Sequence, residues 1–269
     1  MKKVILPLLA LFFLSCQEDD SNNDIDSAAT VETLKEYAIV NKIFQDVGNN
    51  SGDAILNSEN SASTSKTSKR SGNDPIISIE PLDWVTFPKT ITIDYQLGLV
   101  CKDGITRKGL VIINSTNWYG VEGSEHTTTF SNYYHNDYKV EGTHNVKNLG
   151  VNAEGDLQYS VMIENGKITT TADQSIKYTE QSVRTWIAGA NTPLNIWDDE
   201  YILHGTQSGV SGKGTKYSLT ITEQLHFVLL PRSIKSGIVD IDVSNIKDII
   251  VNYTTSTITI LGTTFPFDN

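Results

Sequence analysis

The chain has 269 residues, a formal net charge of −11, 38% hydrophobic residues and only two cysteines. Such an acidic protein offers no positive surface to a phosphate backbone, so nucleic acid is not expected as a partner.

The first fifteen residues have the pattern of a secretion signal. Two lysines precede the apolar run Val4–Leu14, and the small residue Ser15 comes directly before Cys16. The run spans about half of a ~30 Å hydrocarbon core, and Pro7 interrupts it, so a permanent membrane helix is not expected. Residues 1–15 are therefore predicted to be removed as a signal peptide, which takes the net charge to −13.

The segment that ends at Cys16 resembles the lipobox of bacterial lipoproteins, although Phe13 stands where the usual motif has leucine. The resemblance implies a diacylglyceryl thioether and an N-acyl chain on Cys16, which together anchor a protein firmly to a membrane. The acidic run that follows is similar to the surface-export signal of Bacteroidetes lipoproteins; it consists of Gln17, Glu18, Asp19 and Asp20. This likeness implies a lipid-anchored protein on the outer face of the outer membrane, with the periplasmic face as the alternative.

Residues 16–26 are predicted to be a lipidated acidic tether, and helical spacing of apolar residues follows it. The pattern predicts an amphipathic helix over residues 27–48, which ends at Gly48-Asn49-Asn50. Residues 49–73 contain seven serines and almost no large apolar side chain, so a flexible linker is predicted there.

From residue 74 onward apolar and polar residues alternate with period two, which is typical of strands with one buried and one solvent-facing side. Turn signals separate these runs at Asp103-Gly104, Glu154-Gly155 and Gly212-Lys213-Gly214, and Asn165-Gly166 predicts a two-residue hairpin. The sequence therefore predicts a mainly β domain over residues 74–269. We expect an antiparallel meander of about twelve strands, arranged as a half-barrel, barrel or sandwich, with one N-terminal α-helix.

Two segments of the β region are alike: residues 137–143 read DYKVEGT and residues 200–206 read EYILHGT. Either duplication of a hairpin or convergence of strand and turn chemistry accounts for this likeness. The layout also resembles a group of Bacteroidetes lipoproteins with a short helix followed by an extended β-meander, on residues such as Lys89–Tyr95 and Lys102–Gly109. That resemblance implies a fold and brings no activity with it.

Patterns for catalysis or metal binding are scarce, so no cofactor and no metal are predicted. The five histidines are scattered and are expected at the surface or at strand edges, and Cys101 is expected to be a small buried residue without a partner. Asp240 and Asp242 fall on one face of a predicted strand, about 7 Å apart by backbone geometry, which suits a pair of glycosidase carboxylates. Their position opposite apolar residues favours a solvent-facing pair instead.

Aromatic residues supply the functional lead. Adjacent residues of a strand point to opposite faces, so one member of each neighbouring aromatic pair is expected outside the core. The candidate residues for stacking a glycan or receiving a surface protein are Trp118, Tyr119, Tyr133, Tyr134 and Tyr138.

Three functions follow, in order of preference. The first is a non-catalytic, membrane-tethered lipoprotein that acts in binding, adhesion or envelope structure. The second is a carrier of an apolar ligand such as a lipid inside a β half-barrel, which needs a cavity not filled by the helix of Val31–Val47. The third is a glycan hydrolase, which needs Asp240, Asp242 or a histidine to converge in one cleft.

Overall fold

The computed structural model describes residues 21–64, 74–189, 198–229 and 232–267. Within these residues the protein is mainly β, with one N-terminal helix, α1 (Ser21–Thr64), and fourteen strands. The strands are β1 (Ile76–Glu80), β2 (Lys89–Asp94), β3 (Leu99–Val100), β4 (Thr106–Ser115), β5 (Glu125–His135), β6 (Tyr138–Val151), β7 (Leu157–Thr169), β8 (Ser175–Ala188), β9 (Glu200–Val210), β10 (Lys216–Leu229), β11 (Arg232–Val243), β12 (Ile246–Asn252), β13 (Thr257–Ile260) and β14 (Thr263–Pro266).

The strands form an antiparallel meander in one sheet. Their order is β1-β2-β4 and then consecutive to β14, with β3 paired to β4 beside this path. The turns predicted at Asp103-Gly104, Glu154-Gly155 and residues 212–214 each lie between strands. The predicted mainly β antiparallel meander with one N-terminal helix is therefore confirmed, with fourteen strands in the described residues where about twelve were expected.

The chain divides into two compact units. One is Val40–Gln181, and the other comprises the described residues of Met1–Ile39 and Ser182–Asn269. The sequence predicted one β domain over residues 74–269 with the helix outside it. Helix α1 instead contributes residues to both units, because its apolar side chains belong to their cores.

In the unit Val40–Gln181, helix α1 covers one face of the strands. Val40, Ile43, Phe44 and Val47 recur every three or four residues and are almost fully buried, as an amphipathic stripe requires. The ring of Phe44 stacks on that of Tyr178 in β8, with 5.6 Å between the centroids. This contact holds the helix against β8.

Helix α1 is longer than predicted, since it passes through Gly48-Asn49-Asn50 and ends at Thr64. Gly48 does not end the helix. It allows a close approach, because a Cβ at this position would lie 3.0 Å from Nε2 of His144 on β6. Further along, Ile55 is again buried. Residues 49–64 are therefore a helix held by burial and not the predicted linker, while residues 65–73 lie outside the described part of the chain.

The predicted hairpin at Asn165-Gly166 is wrong, because both residues lie inside strand β7. The register changes there from Glu141↔Lys167 to Thr143↔Glu164, so β7 has one residue more than β6 opposite Gly142. This is a β-bulge, and Asn165 adopts the positive φ of 52° that a tight turn would also require. The Asn-Gly pair, which is typical of hairpin turns, therefore forms a bulge within strand β7 in this protein.

The same kind of bulge recurs elsewhere. Gly109 of β4 lies opposite an extra residue of β5 at Asn132, and Gly237 of β11 lies opposite an extra residue of β10 near Gln224. At Gly109, Gly142 and Gly237 a Cβ would lie within 3 Å of the backbone of the opposite strand. Bulges bend a strand and increase its twist, which lets these long strands curve.

The two similar segments of the sequence share this feature. Gly142 and Gly205 occupy equivalent positions in them, and both have a positive φ. Each lies where the register to the following strand shifts. The likeness between the segments is therefore also one of backbone geometry.

The second unit has its own core beneath the N-terminal part of helix α1. Leu34 and Tyr37 pack against a buried cluster drawn from β9 to β12. Tyr37 meets Tyr217 edge-on at 5.6 Å between ring centroids and donates a hydrogen bond to Gln207. The buried members of this cluster are Leu203, Tyr217, Leu219, Leu225, Val239, Ile241, Val243, Ile246, Ile249 and Val251.

A search of the described residues finds no helix that combines the length and the apolar character needed to cross a membrane.

Substitution of Gly52 tests the helical extension. Gly52 lies within α1 with open space around it, so Gly52→Ala should stabilise the protein by about 1 kcal/mol and Gly52→Pro should destabilise it by about 3 kcal/mol or more. Chemical denaturation of the three proteins measures both changes. Near-zero effects of both substitutions would mean that this segment is a linker after all.

The bulge opposite Asn165 makes a second prediction. Gly142→Ala places a Cβ 2.7 Å from the Asn165 carbonyl oxygen at a φ of +118°, whereas Gly155→Ala meets only the unfavourable φ of +90° in open space. We expect Gly142→Ala to cost about 3 kcal/mol and Gly155→Ala about 1 kcal/mol in the free energy of unfolding. Equal costs would show that backbone crowding at the bulge is unimportant.

Candidate interaction site

The structure distributes the five aromatic residues predicted to stack a ligand over separate clusters. Trp118 and Tyr133 are buried, whereas Tyr119, Tyr134 and Tyr138 are half-buried. In β5, Tyr133 is buried and Tyr134 is more exposed, as the strand geometry predicted. Trp118 and Tyr119 were expected in a strand but lie in the connection between β4 and β5. Their role as stacking residues stays a prediction.

Other side chains already engage several of these rings. Tyr119 stacks on His126 and on Tyr159, with centroids 4.9 Å apart in both pairs. The ammonium group of Lys108 lies 3.9 Å from the ring centroid of Tyr134. These contacts hold the rings of Tyr119 and Tyr134 in place and leave less of their surface free to stack on a ligand.

The buried ring of Trp118 packs against a second tryptophan, Trp84, which is exposed. Its ring lies 4.9 Å from that of Trp84 between centroids, and its Nε1 donates a hydrogen bond to the Trp84 carbonyl oxygen at 3.2 Å. Phe87 meets the other part of Trp118 edge-on at 5.1 Å. Trp84 and Phe87 belong to the segment between β1 and β2, residues 81–88, which we call the tryptophan loop.

A buried lysine holds the tryptophan loop closed. The side chain of Lys89 has no exposed surface, and its Nζ donates hydrogen bonds to the carbonyl oxygens of Pro81 and Asp83. The same Nζ faces the rings of Phe87 and Trp118 at 5.0 and 5.2 Å from their centroids. A buried ammonium ion is tolerated only when such partners replace water. The loop therefore folds around the buried ammonium group of Lys89, the first residue of β2.

Asp83 fixes the tip of the tryptophan loop. Its Oδ1 accepts hydrogen bonds from the amides of Thr86 at 2.6 Å and Val85 at 2.9 Å, an Asx-type turn. The backbone hydrogen bond from Thr86 is the main cause that lowers the pKa of the Asp83 carboxyl group. The carboxylate therefore stays charged and engaged at neutral pH.

Between these two restraints the loop exposes large apolar side chains. The exposed fractions of Leu82, Trp84 and Val85 are 70%, 42% and 78%. Exposed apolar side chains that cluster, unlike single ones, mark sites of interaction. Since Lys89 and Asp83 hold the backbone, a partner would not have to order it on binding.

Three more exposed apolar residues lie at the same end of the unit Val40–Gln181: Val121, Leu149 and Val151. Strand pairing brings their segments beside the tryptophan loop, because the first residue of β2 pairs with the last of β4. The loop between β4 and β5, which contains Val121, in turn bonds to β6, where the Gly123 amide donates to the Asn148 carbonyl oxygen. We call Leu82, Trp84, Val85, Val121, Leu149 and Val151 the apolar rim.

Sequence reasoning missed the tryptophan loop. A signal for it exists, since Pro81 and Pro88 enclose a short segment in which Asp83 supplies turn chemistry beside Trp84. Leucine, tryptophan and valine in a turn cannot all follow the alternation that buries strand residues. That mismatch between apolar residues and turn chemistry was the available clue.

The residues of the predicted anchor and export signal lie outside the described part of the chain. These are Cys16, Gln17, Glu18, Asp19 and Asp20. Helix α1 begins at Ser21, so the described end of the predicted tether is helical.

A polar cluster surrounds Arg107, whose side chain is 1% exposed. Its two Nη atoms donate to the two carboxylate oxygens of Asp103 at 3.0 and 2.6 Å. Burial opposes both charges, but this bidentate pair outweighs it, so the pKa of Asp103 is lowered and that of Arg107 is raised. Cys101, expected to be buried, is half-buried, and its Sγ donates a hydrogen bond to the Leu99 carbonyl oxygen at 3.8 Å. The cluster closes the turn between β3 and β4.

Three of the five histidines are buried, contrary to the expectation that they lie at the surface or at strand edges: His126, His135 and His144. They occupy β5 and β6 on positions that helix α1 covers, which the sequence pattern of the strands did not reveal. His135 Nε2 lies 3.1 Å from the carboxylate of Asp46 in α1. The histidines thus belong to a polar layer between helix and sheet.

His126 is the most perturbed member of this layer. Its Nδ1 lies 2.9 Å from Ser115 Oγ, and its Nε2 is buried without a hydrogen-bond partner among the described residues. Burial lowers the pKa of His126 from its ordinary value of 6.5 to about 4. The imidazole is therefore neutral at physiological pH.

The carboxylates considered for hydrolysis have different surroundings. Asp242 forms an ion pair with Lys247 at 2.8 Å and accepts the Asp248 amide, and the hydrogen bond from Lys247 lowers its pKa. Burial and the nearby Asp248 raise the pKa of Asp240. Asp242 is thus engaged in the turn between β11 and β12. Across the described ranges, no cluster of three or more histidine, cysteine, aspartate or glutamate side chains is arranged to hold a metal ion.

Comparison with known proteins gives no relative: no protein-family model, no curated protein and no solved structure matches this chain.

The buried imidazole of His126 makes stability depend on pH. The unfolded chain binds a proton near pH 6.5 and the folded chain only near pH 4, so the contribution of His126 is present above pH 6.5 and is lost as the pH falls to 4. The loss amounts to about 3 kcal/mol. His126→Asn should remove it, and His204→Asn, at an exposed histidine, serves as the matched control substitution.

Denaturant titrations between pH 7 and pH 4 measure this difference. Burial raises the pKa values of Asp53 and Glu59 in helix α1, which act in the opposite direction. Comparison of His126→Asn with the parent cancels their contribution, because both proteins contain them. Parallel pH curves for the two proteins would contradict the assignment.

Proposed function

We propose that this protein is a lipid-anchored lipoprotein of the outer membrane, exposed at the cell surface, with a non-catalytic role in binding or envelope structure. The observation that carries the proposal is the apolar rim: six large apolar side chains exposed at one end of a unit. Cys16 would carry the lipid, and Gln17, Glu18, Asp19 and Asp20 would direct the export.

The build of the tryptophan loop supports a binding role. Exposure of the leucine, tryptophan and valine side chains to water is unfavourable, and burial of Lys89, which holds the loop, has a desolvation cost as well. Neither the exposed apolar side chains nor the buried ammonium group adds to the apolar packing of the core. A rigid loop with apolar tips is what a contact surface needs, since little entropy is lost when it binds.

The position of helix α1 weighs against the lipid carrier as the alternative. A carrier needs free apolar space between helix and strands, whereas Val40, Phe44 and Val47 are buried against the strands in one unit. In the other unit Leu34 and Tyr37 pack onto the core cluster. The glycan hydrolase has less support than the lipid carrier, because the Asp242 carboxylate already accepts a hydrogen bond from Lys247.

Photo-crosslinking in intact cells tests the binding role without knowledge of the partner. Benzoylphenylalanine replaces Val85 in the rim, and in a matched protein it replaces Leu97, which is fully exposed at the opposite end of β2. We expect an adduct at residue 85 and none at residue 97, in cells that retain the protein in the membrane fraction.

The N-terminus is tested in the same preparation. Mass spectrometry should find the mature chain starting at an acylated Cys16, and Cys16→Ala should release the protein from the membrane fraction. A retained leader or an unmodified cysteine would refute the anchor. Equal crosslinking at residues 85 and 97 would refute the binding role.

A further inference from the structure

We infer that the outer edge of strand β1 pairs with β1 of a second copy of this chain. The two strands run antiparallel across a two-fold axis that passes through Ser78, so that their two sheets become continuous. This inference goes beyond the proposed function and depends neither on the lipid anchor nor on the apolar rim.

Strand β1 is an open edge of the sheet. It pairs with β2 on one side, and no described strand pairs with it on the other. A free edge presents unpaired N–H and C=O groups to any strand that can align with them. The opposite edge strand, β14, has only four residues, and one of them is Pro266, which lacks an N–H group. Prolines flank β1 without entering it, so all five of its residues keep their N–H groups.

The apolar side of β1 is only partly covered. Ile77 lies opposite the buried Ile93 of β2, and Ile79 is on the same face, because residues two apart along a strand share a face. Ile77 is nevertheless 42% exposed, and Ile79 is half-buried. Many edge strands are protected by an inward-pointing charge, whereas the one charged residue of β1, Glu80, lies on the other face. The core side of the sheet therefore remains open at this edge.

The sequence around β1 is symmetric about Ser78. Pro75 and Pro81 each stand three residues from it, so the segment between the prolines is centred on this residue. Antiparallel pairing about Ser78 puts Ile77 of each copy opposite Ile79 of the other, on the core side, and leaves both prolines outside the ladder. A self-complementary segment of this kind is what an isologous two-fold interface requires.

The neighbouring registers are less favourable. A shift of the axis to Ile77 puts Asp74 opposite Glu80, so that two carboxylates face each other. A shift to Ile79 puts Pro81 opposite Ile77 and removes an N–H group from the ladder. A slip by one residue sets the apolar face of one strand against the polar face of the other. The register centred on Ser78 avoids all three penalties.

Disulfide trapping in intact cells tests this register. In a Cys101→Ser background, Ser78→Cys places the two added thiols opposite each other, at a Cα separation of about 4.5–5.5 Å that a disulfide can span. Glu80→Cys is the matched control, because it lies on the same exposed face of β1 but about 14 Å from its counterpart in the other copy. We expect oxidation to convert most of the Ser78→Cys protein into a covalent dimer and to leave Glu80→Cys monomeric.

A charge on the core side of the edge should separate the two copies. Ile77→Lys places an ammonium group within the paired segment, whereas Leu97→Lys adds the same charge at a fully exposed residue outside β1. Analytical ultracentrifugation should give twice the mass of the chain for the parent and for Leu97→Lys, and the single mass for Ile77→Lys. An unfolding curve verifies that Ile77→Lys is folded, and the disulfide pair decides alone if it is not.

Three results would overturn the inference. The first is a single-chain mass of the parent protein at its highest soluble concentration. The second is equal trapping of Ser78→Cys and Glu80→Cys, because random collisions do not select a register. The third is an adduct of Ser78→Cys with a different protein, which would show that the edge receives a strand of another chain. None of these results bears on the anchor at Cys16 or on crosslinking from Val85, so this inference and the proposed function fail separately.

Discussion

The fold depends on the burial of one apolar sheet face by a single helix. A meander of alternating strands leaves such a face in water unless another element covers it. Helix α1 does so with Val40, Ile43, Phe44 and Val47 in one unit, and each of these side chains contributes about 1.5–3 kcal/mol. Burial on this scale exceeds helix propensity, which explains why the serine- and asparagine-rich residues 49–64 remain helical.

Polar contacts determine where the helix lies on that face. Ser51 of α1 accepts a hydrogen bond from Thr128 of β5, and Asp46 lies against His135 at the other end of the same strand. Apolar packing alone tolerates sliding by a turn, whereas buried polar partners lose their hydrogen bonds when they separate.

The sequence was sufficient for the class of fold and insufficient for its irregularities. Alternation along β2 and β10 identified strands because one face is apolar, and this signal is local. Asn165-Gly166 was misread, since a bulge and a hairpin demand the same positive φ and only pairing with Gly142 distinguishes them. The end of α1 and the burial of His126 depend on contacts between distant segments, which no local pattern contains. Trp84 was missed because apolar residues in a turn match neither strand nor helix periodicity.

The tryptophan loop is the place where the protein departs most from what stability alone would select. A methionine in place of Lys89 would fill much the same volume without a charge to desolvate, and buried ions replaced in this way often leave a protein equally or more stable. The ammonium ion nevertheless bonds to two carbonyl oxygens of the tryptophan loop and faces two rings, Phe87 of the loop and Trp118 between β4 and β5, which no apolar side chain can do. Its directional bonds specify one loop conformation, and that conformation holds Leu82 and Val85 in solvent. Lys89 thus specifies the conformation of the tryptophan loop at a desolvation cost that the packing of the core does not require.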